Sequence, residues 1–530
     1  MTTAVAMLCL GLAPVSAIQE GWPQSRAVRT DYRETSTYRD VIDFIEALQR
    51  KGAPISVEYF GLSKEARRMP LVIAARPMVA SPAEARRTGK PIIYVQANIH
   101  AGEVEGKEAA MAILSRVCQE PHGLLDKVIL LVDPIYNIDG NEKFGPQARN
   151  RPEQNGPELV GVRASGEGFD LNRDGMKAES LEFRAVLERI WNRWDPDVMM
   201  DLHTTDGTRH GYDLTYSPPL NPNTPPAILK FSRDEMLPAI RRQMRQQYNL
   251  PLFDYGDATT RDKKPAWTTF GEGGRYMTNY AGIRNRIGIL SEAATYIPFR
   301  ERVVATDRFV TAVLDYVEKN SRRVVELTRG ADAEVSAFET TQPELGVRFE
   351  MASRGEEETL LEPPPAAGKR RPETGRPASL IKVKMPIYDR FAATRKSKVP
   401  AAYLIPETET KIVELLRRQG VVVERFVAPA TVDGQRFTVR EAKIASQPFQ
   451  GHRLIEINGA FAPEQATVRP GAFLVRMDQP LGVLIFNLLE PESVDGVVAW
   501  GFLSRDPRVG DSYPVLKAFR PVNAVTERLP

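Results

Sequence analysis

A histidine and a glutamate three residues apart, His100 and Glu103, follow the apolar run Ile92–Ala97 in the segment Asn98-Ile99-His100-Ala101-Gly102-Glu103. A second histidine, His203, closes another apolar run, Asp197–Leu202. Imidazole nitrogen and carboxylate oxygen are ligands of zinc, and a catalytic zinc takes three protein ligands while one position stays open. Both histidines follow candidate buried strands, and ligands bind at the carboxyl ends of strands in open α/β sheets. The bland reading is chance: His203…Asp206 and His210…Asp213 have the same short spacing and read as ordinary polar loops. A third apolar run, Ile287–Leu290, leads into Ser291-Glu292-Ala293. A carboxylate there costs desolvation unless it has a partner or a task. It reads either as a general base toward water or as a salt bridge at the sheet edge. Between these runs lies a glycine-rich stretch, 163–174, holding Arg163, Asp170, Asn172 and Arg173. The planar fork of arginine matches a carboxylate bidentately, so this stretch could hold an anionic substrate end, or be a polar loop.

The elements that must position these residues alternate. Tyr38–Lys51 has helical periodicity, with Val41, Phe44, Ile45 and Leu48 on one face. Strand candidates at 57–62, 71–75, 92–97, 128–132, 197–202 and 287–290 are separated by helix candidates at 106–117 and 180–191. The expected fold class is α/β: a mixed, largely parallel sheet flanked by helices. Residues 329–380, with their Glu, Pro and Lys/Arg clusters, read as a linker with some extended structure. From 381 to 530 β-branched segments such as Val421–Val423, Phe437–Val439 and Ala472–Val475 predict a smaller β-rich domain. Helical signal there is limited to 408–419 and 481–489.

The 530 residues suffice for several domains. The net charge of +3, from 71 basic and 68 acidic residues, leaves no electrostatic footprint for nucleic acid or an anionic membrane. Two cysteines exclude a disulfide scaffold. Residues 1–17 read as a signal peptide, with a short apolar stretch and small residues at Val15-Ser16-Ala17, but without a basic start. Export to the periplasm or the exterior is expected on that basis, with no membrane insertion of the mature chain. Cys118 would then remain as a buried apolar residue.

Taken in order, these pieces resemble the M14 family of zinc carboxypeptidases, in particular a bacterial exported subset with an extra C-terminal domain. The matching features are His100-x-x-Glu103, Asn137-Ile138-Asp139-Gly140, Asp170-Leu171-Asn172-Arg173, Leu202-His203, and Glu292 after a late strand. The stretch Glu490-Pro491-Glu492-Ser493-Val494-Asp495-Gly496 resembles the tail of that subset but offers no catalytic set.

The resemblance implies one Zn2+ per chain, ligated by His100, Glu103 and His203, with Glu292 as general base assisting attack of zinc-bound water. It implies that Asn172 and Arg173 bind the terminal carboxylate, that Arg163 polarises the scissile carbonyl (Arg151 being a rival), and that Asp170 orients His100. Tyr276 is its candidate for a substrate-capping tyrosine. The implied catalytic domain is 27–328, and the implied partner is a peptide or peptide-like substrate with a free carboxylate. Two other hydrolase readings stay open on the same fold, a deacylase of acyl-amino acids and a cell-wall peptide hydrolase. A third alternative is a binding protein with an inactive site.

Overall fold

In the computed structural model, residues 21–365 and 374–529 are described; the expected signal peptide at 1–17 lies outside them. The first long helix, α1 (Tyr38–Arg50), starts at a capping box. Thr37 Oγ1 accepts the Asp40 N–H at 3.1 Å, and the Asp40 carboxylate accepts the Thr37 N–H at 3.0 Å. Its buried face is Val41, Phe44, Ile45 and Leu48, each contributing roughly 1.5–3 kcal/mol by leaving water.

The central sheet has eight strands: β1 (Ile55–Leu62), β2 (Arg68–Ala74), β3 (Ile92–Ala97), β4 (Ile129–Asp133), β5 (Val198–Thr204), β6 (Leu214–Ser217), β7 (Leu252–Asp254) and β8 (Ile287–Ala293). Their spatial order is β1-β2-β4-β3-β5-β8-β6-β7. The middle four, β4, β3, β5 and β8, run parallel, and antiparallel pairs flank them. Every residue of β3, β4, β5 and β8 is buried, as their apolar runs require of strands covered on both faces. The helices α2 (Glu105–Gln119) and α4 (Phe299–Lys319) pack against each other, and the short α3 (Met277–Ile283) lies against β5 and β8. This is the expected mixed, largely parallel sheet. No helix among the described residues is long and apolar enough to cross a membrane.

The C-terminal part departs from expectation in detail. The segment read as a linker, 329–380, is regular over most of its length. It contains the end of a helix, Ser321–Ser336, and the strand Glu344–Leu361, which pairs with Ile381–Lys398 as a long antiparallel ribbon. The ribbon joins the hairpin Asp257–Arg261/Lys264–Thr268 into a four-stranded sheet. Charged residues on its solvent side give it the composition of a linker. A seven-stranded sheet follows, with helices at Thr410–Arg418 and Gly482–Leu489. Val421–Val423 lies outside any strand; the strand begins at Glu424. One continuous apolar core runs from Val41 through the central sheet to Tyr513 and Val515.

Candidate metal centre

The parallel strands bring their C-terminal ends together. Glu292 on β8 stands in register with His203 on β5, so both side chains emerge on one face of the sheet. Both residues lie inside their strands, which run further than the apolar runs suggest. β3 is followed by Asn98, which takes a left-handed conformation with φ 66°. Its side-chain amide donates to the carbonyls of Ala101 (3.3 Å) and Glu103 (3.4 Å), fixing the turn that carries His100. Gly102 is needed in that turn: a Cβ there would lie 2.8 Å from Cγ of Arg151 and 3.0 Å from the Gly161 carbonyl.

His100, Glu103 and His203 are buried and form a compact set whose donor atoms lie within 4.8 Å of one another. Glu103 bridges the pair, with Oε1 2.9 Å from Nδ1 of His100 and Oε2 3.0 Å from Nδ1 of His203. The opposite ring nitrogens face aspartates: His100 Nε2 is 3.0 Å from Asp170 Oδ1, and His203 Nε2 is 2.8 Å from Asp201 Oδ2. Asp170 hydrogen-bonds the His100 ring and Asp201 stands within ion-pair distance behind His203, places from which carboxylates orient zinc-bound imidazoles. Two nitrogens and one carboxylate oxygen, with one side open to a cleft, fit a catalytic zinc. Burial alone would raise the pKa of Glu103, but the charges of His100 and Arg151 and the hydrogen bonds of both histidines hold it well below the carboxylate range. Asp170 is likewise held low, the bond and charge of His100 and then Arg163 outweighing its burial.

A cleft of about 140 Å³ opens over this set. It is lined by His100, Glu103, His203 and Glu292 and by Arg163, Asn172 and Arg173, so all seven sequence candidates meet in one place. Burial pushes the Glu292 carboxyl well above its usual range; His203 opposes the shift, and Glu103 and Asp206 add to it. Arg163 Nε donates to Asp170 Oδ2 at 2.9 Å. Asn172 Oδ1 accepts the Met277 N–H at 3.0 Å, and the Arg173 guanidinium lies over the Tyr276 ring, 4.6 Å from its centre.

Arg151, the rival of Arg163, is buried beneath the set instead. It donates to Glu103 Oε1 at 3.2 Å and to the Thr204 carbonyl at 3.3 Å. Tyr276 lines the cleft, whereas the Tyr280 hydroxyl is buried against Gln419. Asp206, read as part of a polar loop, stands on the cleft wall. His210 lies elsewhere, with Nδ1 2.9 Å from the Tyr296 hydroxyl, and His452 pairs with Glu179 at 2.8 Å. Tyr255, Phe270 and Asp201 were not anticipated. Only Asp201 left a signal, a charge inside an apolar strand that must have a partner.

Residues 41–224 match the model of the zinc carboxypeptidase family, Peptidase M14. The chain resembles the zinc carboxypeptidases. It is 20% identical over 511 residues to Carboxypeptidase 2 of Trichophyton rubrum, covering 89% of this chain and 85% of that protein. It is 21% identical over 486 residues to Carboxypeptidase 2 of Trichophyton equinum, covering 86% and 81%. Among solved structures, a metallo-carboxypeptidase from Burkholderia cenocepacia aligns over 54% of this chain and 70% of its own, at 16% identity and a TM-score of 0.40. The carboxypeptidase A of Helicoverpa armigera aligns over 57% and 75%, at 15% identity and a TM-score of 0.37.

Proposed function

We propose that this chain is a zinc-dependent metallocarboxypeptidase, which hydrolyses a peptide bond next to a free C-terminal carboxylate. The observation that carries this reading is the meeting, in one cleft, of a nitrogen–nitrogen–oxygen donor set with a buried glutamate and an Asn–Arg pair. His100, Glu103 and His203 would hold one zinc per chain. Zinc bound there would supply Lewis acidity toward a carbonyl oxygen and toward water.

The chain's own groups supply the rest. Arg173 and Asn172 receive the terminal carboxylate and set the register of the substrate. Arg163 donates to the scissile carbonyl oxygen as charge develops on it, a contribution of about 3–4 kcal/mol for one well-aimed donor. Glu292 accepts a proton from the attacking water and delivers it to the leaving amine. The proposed catalytic residues all lie within 27–328. Export is part of the proposal on the leader-like residues 1–17 alone.

The test is zinc content by elemental analysis, on the same sample given a mixed pool of peptides with free C-termini. One zinc per chain, with chelator-sensitive release of single C-terminal residues, is the expected result. One zinc with cleavage of acyl-amino acids only would transfer the reading to a deacylase. A protein that takes up no metal on reconstitution would overturn it.

A further inference from the structure

The segment around Glu490–Gly496 takes no part in the chemistry above, yet it holds the turn that leads into Tyr276 on the cleft wall. Asp495 is buried and grips the turn before α3. Its Oδ2 accepts the Arg275 N–H at 3.0 Å, its Oδ1 accepts Arg275 Nε at 2.7 Å, and Nη2 of the same guanidinium lies 2.6 Å from Oδ1. The turn is built around this carboxylate, since a Cβ on Gly273 would fall 2.4 Å from Asp495 Oδ2. The next two residues each touch a residue of the cleft. Tyr276 supports the Arg173 guanidinium, and the Met277 N–H fixes Asn172 Oδ1.

A second strap from the same C-terminal part holds the loop of Asn172 and Arg173 at Asp170. Gln450 and Gly451, with φ of 50° and 82°, form a two-residue turn between Phe449 and His452, whose backbones bond in both directions. Gln450 Oε1 accepts the N–H of Asp170 at 3.0 Å. The two straps share an aromatic seat, in which the Arg275 guanidinium lies 5.4 Å from the Phe449 ring centre and 4.9 Å from that of Trp500.

We infer that Asp495 is a positioning residue for the reaction, fixing through Arg275 the turn that holds Asn172 and Arg173 where the substrate's terminal carboxylate binds. This inference rests on the reading of the cleft given above. The C-terminal part is then a component of the substrate site, with no chemistry of its own.

The experiment compares Asp495→Ala, Asp495→Asn, Arg275→Ala and the Asp495→Ala/Arg275→Ala double variant in the full chain. The substrate is an N-acylated dipeptide with a free carboxylate. Asp495→Ala should raise KM about tenfold with kcat within about twofold and zinc content unchanged, the pattern of lost binding. Asp495→Asn keeps an acceptor for the Arg275 N–H and should recover part of the loss. The double variant should be no worse than Arg275→Ala alone, because both act through one contact. Hydrogen exchange over residues 271–277 should quicken in Asp495→Ala. This readout needs no turnover, so it still decides the inference if the unmutated protein releases no C-terminal residue. A lowered melting temperature with unchanged KM, or exchange over 271–277 unaltered in Asp495→Asn and Asp495→Ala alike, would overturn it.

Discussion

Glu292 is buried beside two ligand candidates, and no ion pair among the described residues explains its place on β8. A glutamine of the same shape removes only the proton acceptor. Glu292→Gln should lower turnover by about 10²–10⁴-fold and leave zinc stoichiometry intact; retained turnover would remove Glu292 from the proposed role. Asp201 behaves differently, because it faces His203 from behind. Asp201→Asn should weaken zinc binding about 10–100-fold in a competitive chelator titration, while the fold persists. An unchanged affinity would show that His203 needs no such orientation. A third residue tests the packing away from the cleft. His210 is enclosed by Tyr212, Trp267 and Tyr296, and burial presses its pKa to about 4, against an ordinary 6.5. The unfolded chain therefore binds more protons between those values, and stability is lost as pH falls from 6.5 toward 4, by about 3 kcal/mol in all. His210→Gln should flatten that part of the curve of urea midpoint against pH. Parallel curves for the two proteins would refute the assignment.

Among the elements, α2 packs closely on β5 through a glycine. A Cβ on Gly106 would lie 2.8 Å from Cβ of Leu202 and 3.2 Å from its carbonyl oxygen, and neither atom belongs to a flexible chain end. Alanine gains up to about 1 kcal/mol of helix propensity over glycine, but forcing a methyl into a packed contact costs about 1–3 kcal/mol. The contact should win. Gly106→Ala is expected to be destabilised by about 1–2 kcal/mol in urea unfolding and to bind zinc more weakly, since Leu202 precedes His203. A stabilised variant would mean that β5 yields freely. The same strands explain what was legible in the sequence. β3, β5 and β8 are buried on both faces, so each appears as a largely apolar run, and the chemistry-bearing residue stands out at or just beyond its end. Tyr255 and Phe270 line the cleft through loops after β7 and after the 257–268 hairpin, whose course depends on contacts remote in sequence, so nothing local marked them.

For the whole molecule, composition misled where elements are half-exposed. The ribbon Glu344–Leu361 with Ile381–Lys398 is mostly exposed or half-buried and rich in charge, yet its pairing ties the hairpin at 257–268 to the C-terminal half. The boundary drawn from sequence at 328 also crosses a continuous core: Val335 and Phe338 belong to the same apolar cluster as Val41, Val198, Val483 and Val515. Each such side chain contributes roughly 1.5–3 kcal/mol by burial, whereas a domain's net stability is only about 5–15 kcal/mol. Deleting residues 399–530 would uncover Val335 and Phe338 beside Gly482, remove the Asp495 and Gln450 straps, and leave the Tyr280 and Arg284 side chains without Gln419. A chain of residues 21–398 should therefore aggregate or unfold without a cooperative transition in calorimetry, and adding zinc should not restore one. A soluble fragment with a single sharp transition would instead make the C-terminal part a detachable module, and would shift the contacts at Arg275 from necessary supports to incidental ones.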